Sequence, residues 1–138
     1  VTDNGTYGVT VEDSNGCTST EVTVVVTIQA LPVPTINGDA TVTTTEWCEG
    51  EDITLTGGGG APGATYSWLL PDGSTQNTAV LTINNSDKAT YEGTYTLTVT
   101  EGTCVSALDH NVVIHTNPVA LPANGGDVCL GDDISLLG

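Results

Sequence analysis

The chain has 138 residues, with 17 acidic side chains against a single base, Lys88, and a formal net charge of −16. That balance repels phosphate backbones and anionic lipid, which speaks against nucleic-acid and membrane-surface partners, and no stretch reaches the roughly 18 apolar residues of a membrane helix. Four Cys in a chain rich in Thr and Gly, with no Met or Phe, point to an oxidising, extracellular setting, and no C-x-x-C or Cys/His cluster suggests a structural metal.

Taken in chain order, runs of alternating Thr, Val and Ile predict an all-β chain. Residues 1–31 read as two strands and their connection. The spacing then predicts strand A around 33–44, B at 51–57, C at 65–70, a short segment near 74–78, E at 79–84, F at 93–100 and G at 104–116. The punctuation agrees: a Gly-rich loop runs from Gly57 to Gly63, "PDGS" turns the chain at 71–74, and "EGT" at 101–103 makes a tight hairpin. Pro32, Pro34 and Pro118 mark stiff junctions. In strand F, Tyr95, Leu97 and Val99 fall on one face and Thr94, Thr96, Thr98 and Thr100 on the other, so one side is core and one is wet. Ile53 with Leu55, Tyr66 with Trp68, and Leu81 with Ile83 repeat the device, which predicts two antiparallel sheets with their apolar faces together.

Two phrases recur. "CEGEDITLTG" at 48–57 returns as "CLGDDISLLG" at 129–138, and "GTYGVTVEDSNGC" at 5–17 returns as "GTYTLTVTEGTC" at 93–104. Self-similarity at a nearly fixed period signals a tandem array. Accordingly 1–31 is expected to supply the last strands (F, G) of one unit, 32–117 a complete unit, and 118–138 the first strands (A, B) of a third. The lack of an opening signal peptide fits a segment internal to a longer array.

"GEDITLTG", "YSW", "LTINN" and "YEGTYTL" follow in order the immunoglobulin pattern of strand B, the strand C Trp, strand E and the Gly-x-Tyr corner opening strand F. The Cys-x-Gly opening, "YSWLLPDG" and "GTYTLTVT" resemble more specifically the Ig-like and PKD-like repeats of secreted surface proteins and gliding adhesins of Bacteroidota. The resemblance implies tandem antiparallel β-sandwiches in a non-catalytic stalk or adhesive fibre on a bacterial surface. Its partners would be neighbouring repeats, identical chains in a filament, and a surface polysaccharide or glycoprotein. A carbohydrate-binding accessory module of a secreted polysaccharide-degrading enzyme is the competing reading.

Where antibody-type domains carry their two buried Cys, this chain has Gly57 and Leu97. The resemblance places Cys48, before strand B, and Cys104, after strand F, at opposite ends of the sandwich, too far apart for the roughly 7 Å Cα separation of a disulfide. Three arrangements stay open for Cys17, Cys48, Cys104 and Cys129: bridges between successive units, bridges within a unit, and free or intermolecular thiols. Glu46, Glu49, Glu51, Asp52, Asp87 and Glu92 are expected at one pole, where hard oxygen ligands suit Ca²⁺ and ordinary solvated carboxylates are the alternative. No other cofactor is implied. Trp47 is the candidate sugar-stacking ring, with packing on a neighbour as its alternative. No catalytic set is expected. His110 and His115 fall on opposite faces of strand G, the pair Asp109–His110 reads as exposed, and Lys88 reads as a solvated lysine in a polar loop. "GGGGAPGA" at 57–64 lacks the Gly-Lys-Ser/Thr and the helix of a phosphate loop.

Overall fold

The computed structural model describes residues 3–120 and Leu130. Its elements are β1 (Gly5–Val9), β2 (Val22–Val26), β3 (Thr35–Ile36), β4 (Thr44–Cys48), β5 (Ile53–Gly58), β6 (Thr65–Leu69), β7 (Thr75–Gln76), β8 (Val80–Ile83), α1 (Lys88–Tyr91), β9 (Gly93–Glu101) and β10 (Cys104–His115). Residues 35–115 form two sheets, one ordered β4-β10-β9-β6-β7 and the other β3-β5-β8. The alternation read in the sequence decides which faces meet. Tyr95, Leu97 and Val99 from β9 and Trp68 from β6 close against Ile53 and Leu55 from β5 and Leu81 from β8, all without solvent exposure. Burying such side chains, at about 1.5–3 kcal/mol each, is what holds the two layers face to face.

Strand A is the main departure from expectation. It divides: β3 pairs antiparallel with β5, and β4 pairs parallel with β10. Between them Asn37 and Gly38 take positive φ of 53° and 84°, and the Asp39 carboxylate accepts from the backbone N–H and the hydroxyl of Thr41. Asn and Gly are the residues that enter this region at least cost. The break lets one segment close the edges of both sheets. The segment near 74–78 is β7, which pairs with β6. A single helical turn, α1, also enters before β9, capped by the Asp87 carboxylate accepting from Ala89 N–H. Ser, Thr, Asp and Asn favour this capping position because the side chain satisfies a free backbone donor.

The corner opening β9 has the expected form. Tyr95 donates its hydroxyl to the Tyr91 carbonyl at 2.8 Å, and Gly93 takes φ +143° against Pro71. Burial, with Asp72 and then Tyr91 adding smaller contributions, pushes the Tyr95 hydroxyl up to about 12. The absent central disulfide has a physical replacement. A Cβ on Gly57 would stand 2.9 Å from Leu97 Cδ1 and 3.2 Å from the Ala79 carbonyl, so the leucine fills the space that a bridge would need. Gly57 and Gly58 belong to β5, and the loop proper begins at Gly59. There φ is +91° and a Cβ would lie 1.8 Å from the Val33 carbonyl.

β1 and β2 form a separate two-stranded antiparallel sheet, with Tyr7 opposite Val24 and Val9 opposite Val22. No helix among the described residues is long and apolar enough to cross a membrane.

Candidate functional site

The sandwich has two ends, and the candidate residues divide between them. β4 and β10 run in register with Cys48 opposite His115, while Cys104 begins β10. The 11 positions from Cys104 to His115, at about 3.3 Å per residue, separate the two cysteines by roughly 36 Å. No disulfide spans that distance. Cys17, Cys48 and Cys104 are free thiols, Cys17 and Cys48 exposed and Cys104 half-buried. Cys129 lies outside the described residues, as does nearly all of 118–138.

The Cys48 end gathers the expected carboxylates. Gly50 N–H donates to Ser86 O, Ser86 N–H to Glu51 O, and Glu49 N–H to His115 O, tying the β4–β5 turn, the segment before α1 and the end of β10 together. The acidic side chains mostly serve this tie. Glu51 accepts from Cys48 N–H at 2.8 Å and Asp52 from Asn85 N–H at 2.8 Å. Asp87 accepts from Thr90 Oγ1 at 2.6 Å as well as from Ala89 N–H, which holds its carboxyl below the usual carboxylate range. Glu92 accepts from Ile114 N–H at 2.9 Å and pairs with Lys88 at 3.1 Å, and it too is held low, chiefly by the Ile114 bond. Glu46 faces His115 Nε2 at 3.1 Å. Among the described residues no three His, Cys, Asp or Glu side chains converge as a metal set.

Several polar residues sit differently from expectation. His110 is fully buried, not exposed: Nδ1 donates to the Val42 carbonyl at 3.1 Å and Nε2 meets the Thr45 hydroxyl at 3.0 Å. Thr45 in turn accepts from Trp47 Nε1 at 3.1 Å. This chain fastens β4 to β10, because buried polar groups are retained where partners satisfy them. Trp47 and Tyr91 are half-buried and pack against the core. His115 is exposed on the opposite face, as its position predicts. Lys88 opens α1 and donates to the Ile114 carbonyl at 2.9 Å.

The Cys104 end receives the chain from β2. Glu101 accepts from Gln29 Nε2 at 3.1 Å and from Ala61 N–H at 3.2 Å, and Cys104 Sγ lies 3.8 Å from the Gln29 carbonyl. A correspondence that the sequence reading missed becomes visible here. Tyr7 donates to the Asp3 carbonyl at 3.0 Å, four residues back, as Tyr95 does to Tyr91. Ile28 N–H donates to Asn4 Oδ1, as Ile114 N–H does to Glu92 Oε2. Tyr7, Asn4 and Asp3 precede their counterparts by 88 positions, and Ile28 precedes Ile114 by 86. Carrying the repeat offset through polar residues as well as apolar ones would have found both bonds.

The fold places the described chain in the class of immunoglobulin-like β-sandwiches. It is similar to the amphioxus IgVJ-C2 molecule at TM-score 0.51 and 24% identity, covering 80% of this chain and 60% of that one. A Dscam structure, one concerned with isoform specificity, superposes at TM-score 0.52 and 22% identity over 81% of this chain and 28% of that one. The Ig-like domain of human Leucine-rich repeat-containing protein 4 superposes at 0.51 and 17% identity over 69% of this chain and 98% of that domain. The chain thus spans 60% and 28% of the length of the first two molecules, and the likeness concerns fold alone. No family model and no curated protein matches the sequence.

Proposed function

We propose that the chain is a non-catalytic segment of tandem immunoglobulin-like units in a long extracellular bacterial surface or filament protein, acting as a stalk or adhesive fibre. Residues 1–31 supply the F and G strands of one unit, 32–117 a complete unit, and 118–138 the A and B strands of the next. One observation carries this reading: β1–β2 repeats both hydrogen bonds of the β9–β10 corner at the repeat offset. Two further features support it. The chain enters the sandwich at the Cys104 end, where Gln29 meets Glu101, and leaves at the Cys48 end, where Asn117 Nδ2 donates to the Glu49 carbonyl. Units joined in this way extend end to end. The acidic coat, with a formal charge of −16, keeps such an array soluble and self-repelling.

In this reading the mechanism is mechanical. Each sandwich resists extension through its strand ladders, and the Pro-bearing junctions limit bending. Bridges between the Cys48 end of one unit and the Cys104 end of the next would place a covalent tie at every junction. Adhesion to a surface polysaccharide or glycoprotein belongs to the exposed faces of the array. The packing of Trp47 and Tyr91 against the core favours the stalk over the carbohydrate-module reading. The test is an array built from the full chain with additional copies of residues 32–117, imaged by electron microscopy. The expected result is a rod that lengthens by about 40 Å per added unit, the span of a strand of 12 residues at about 3.3 Å each. Particles that stay compact as units are added would overturn the stalk.

A further inference from the structure

Two carbonyls one repeat apart mark the place where neighbouring units meet. The His115 carbonyl accepts from Glu49 N–H at 2.8 Å, one residue beyond Cys48, which stands opposite His115 in the β4–β10 ladder. Gln29 is the counterpart of His115 in the preceding unit, since Ile28, Pro32 and Val33 return 86 positions later as Ile114, Pro118 and Val119. Cys104 Sγ, in the following unit, lies 3.8 Å from the Gln29 carbonyl, and Glu101 of the same hairpin accepts from Gln29 Nε2 at 3.1 Å. In a continued chain, one carbonyl oxygen is therefore approached both by the residue after Cys48 of its own unit and by Cys104 of the next. That shared neighbour brings the two cysteines into the range of a disulfide, whose Cα atoms stand within about 7 Å. Within a unit the same two residues are roughly 36 Å apart along β10.

We propose that Cys48 of each unit is disulfide-bonded to Cys104 of the unit that follows, and that these bonds keep the array from being drawn out by unfolding. This rests on the reading of the chain as tandem units. Cys48 is exposed and Cys104 half-buried, so a small disulfide reaches both. In the exchange one protein thiolate displaces a thiolate from the donor and the second protein thiolate displaces the other. Two protein thiols are oxidised, and one donor disulfide is reduced to two thiols.

The mechanical role follows from the order of the cysteines along the chain. Cys104 of one unit is tied back to the unit before it, and Cys48 of the next unit is tied forward to the unit after it. The segment between them, β10, the Pro-bearing junction and the next unit's β3–β4 stretch, thus connects bonds at junctions two units apart. It spans 30 positions when units of residues 32–117 follow one another. Fully extended it reaches about 108 Å, or roughly 54 Å per unit, against about 40 Å for the folded sandwich. Without the bonds a unit of 86 residues unravels to about 310 Å. The core residues Ile53, Leu55, Trp68, Leu81 and Leu97 all lie between Cys48 and Cys104, on a segment that stays slack while the shorter one is taut.

The test uses the full chain with a second copy of residues 32–117 inserted after residue 117, and with Cys17→Ser and Cys129→Ser. One variant keeps only Cys48 of the first copy and Cys104 of the second. A mirror variant keeps only Cys104 of the first copy and Cys48 of the second, and a third keeps both cysteines of one copy. Each is equilibrated at low concentration with oxidised glutathione, and linked peptides are identified by mass spectrometry. The expected result is a bond within one chain in the first variant alone, with the same β-sheet circular dichroism in all three. A first variant left unlinked, or a bond in either of the others, overturns the pairing. Arrays of several copies are then pulled by force microscopy. Reduced arrays should unfold in steps of about 270 Å per unit, whereas inner units of oxidised arrays stop near 54 Å each. Oxidised arrays that still unfold in full steps overturn the mechanical role. Each of those outcomes leaves the stalk reading to its own test, the length of multi-unit rods, which does not depend on the bonds.

Discussion

β1–β2 and β9–β10 are two versions of one construction, and they differ in what lies across from them. Both open on Gly-x-Tyr, both bond the tyrosine hydroxyl four residues back, and both hold an isoleucine N–H with a side-chain oxygen near the start of the first strand. In β9 the inward residues are fully buried beneath a second sheet, whereas in β1 Tyr7 and Val9 remain exposed. Local sequence thus suffices to specify a hairpin and its corner. The energy that makes a domain of it comes from the facing sheet, because isolated two-stranded hairpins are marginal in water.

Substitution of matched residues should break the symmetry most strongly at the centre of the sheet. Leu97→Ala empties the space beside Gly57 and is expected to cost about 2–5 kcal/mol in denaturant unfolding of the sandwich. Val9→Ala, at the matched exposed position, should shift the same transition by less than about 0.5 kcal/mol. Equal losses would mean that the hairpin is already covered. Gly57→Ala comes next, at about 1–3 kcal/mol from overpacking against Leu97 and the Ala79 carbonyl. A neutral result would show that Leu97 gives way more readily than its packing implies.

The two tyrosine corners sharpen the comparison at a smaller scale. Tyr95→Phe removes the bond to Tyr91 and is expected to cost about 1 kcal/mol, with a smaller effect from Tyr7→Phe on the sandwich transition. Tyr95 also confers an alkaline limit. Its folded-state value is raised from 10.0 to about 12, so its contribution is complete below pH 10 and is lost as pH rises towards 12. Tyr95→Phe should flatten that limb of the stability profile, read by circular dichroism between pH 9 and 12.

The smallest expected difference is an acid one. Glu92 and Asp87 are held below their ordinary values, so the stability they contribute is present above about pH 4.5 and is lost as pH falls through their lowered folded-state values. Asn4, which stands where Glu92 does in the repeat, makes the matching bond with an amide that does not titrate in this range. Glu92→Gln should therefore reduce the acid dependence of the sandwich melting temperature. An unchanged acid limb would assign that sensitivity to other carboxylates.

How much of this was legible in the sequence can be read from individual residues. The alternation in 93–100, with Tyr95, Leu97 and Val99 inward, determined strand, face and core together, because side chains project from a strand with period two. Trp68, Ile53, Leu55, Leu81 and Ile83 followed by the same rule, and the recurrent Cys-x-Gly and Gly-x-Tyr phrases gave the proposed order of the units. Other features depended on contacts between segments distant in sequence. Strand A had to break at Asn37–Gly38 because it edges both sheets, and a single strand cannot hydrogen-bond into two layers without a turn. His110 was buried by β4, which arrives from 65 positions away to present Thr45, so no local pattern distinguished it from a solvated histidine. The six carboxylates reached one pole as expected, but backbone donors from neighbouring turns determined how most of them are spent. Sequence periodicity fixes what faces the core, and only the meeting of sheets determines which polar groups find partners, since those partners come from across the fold.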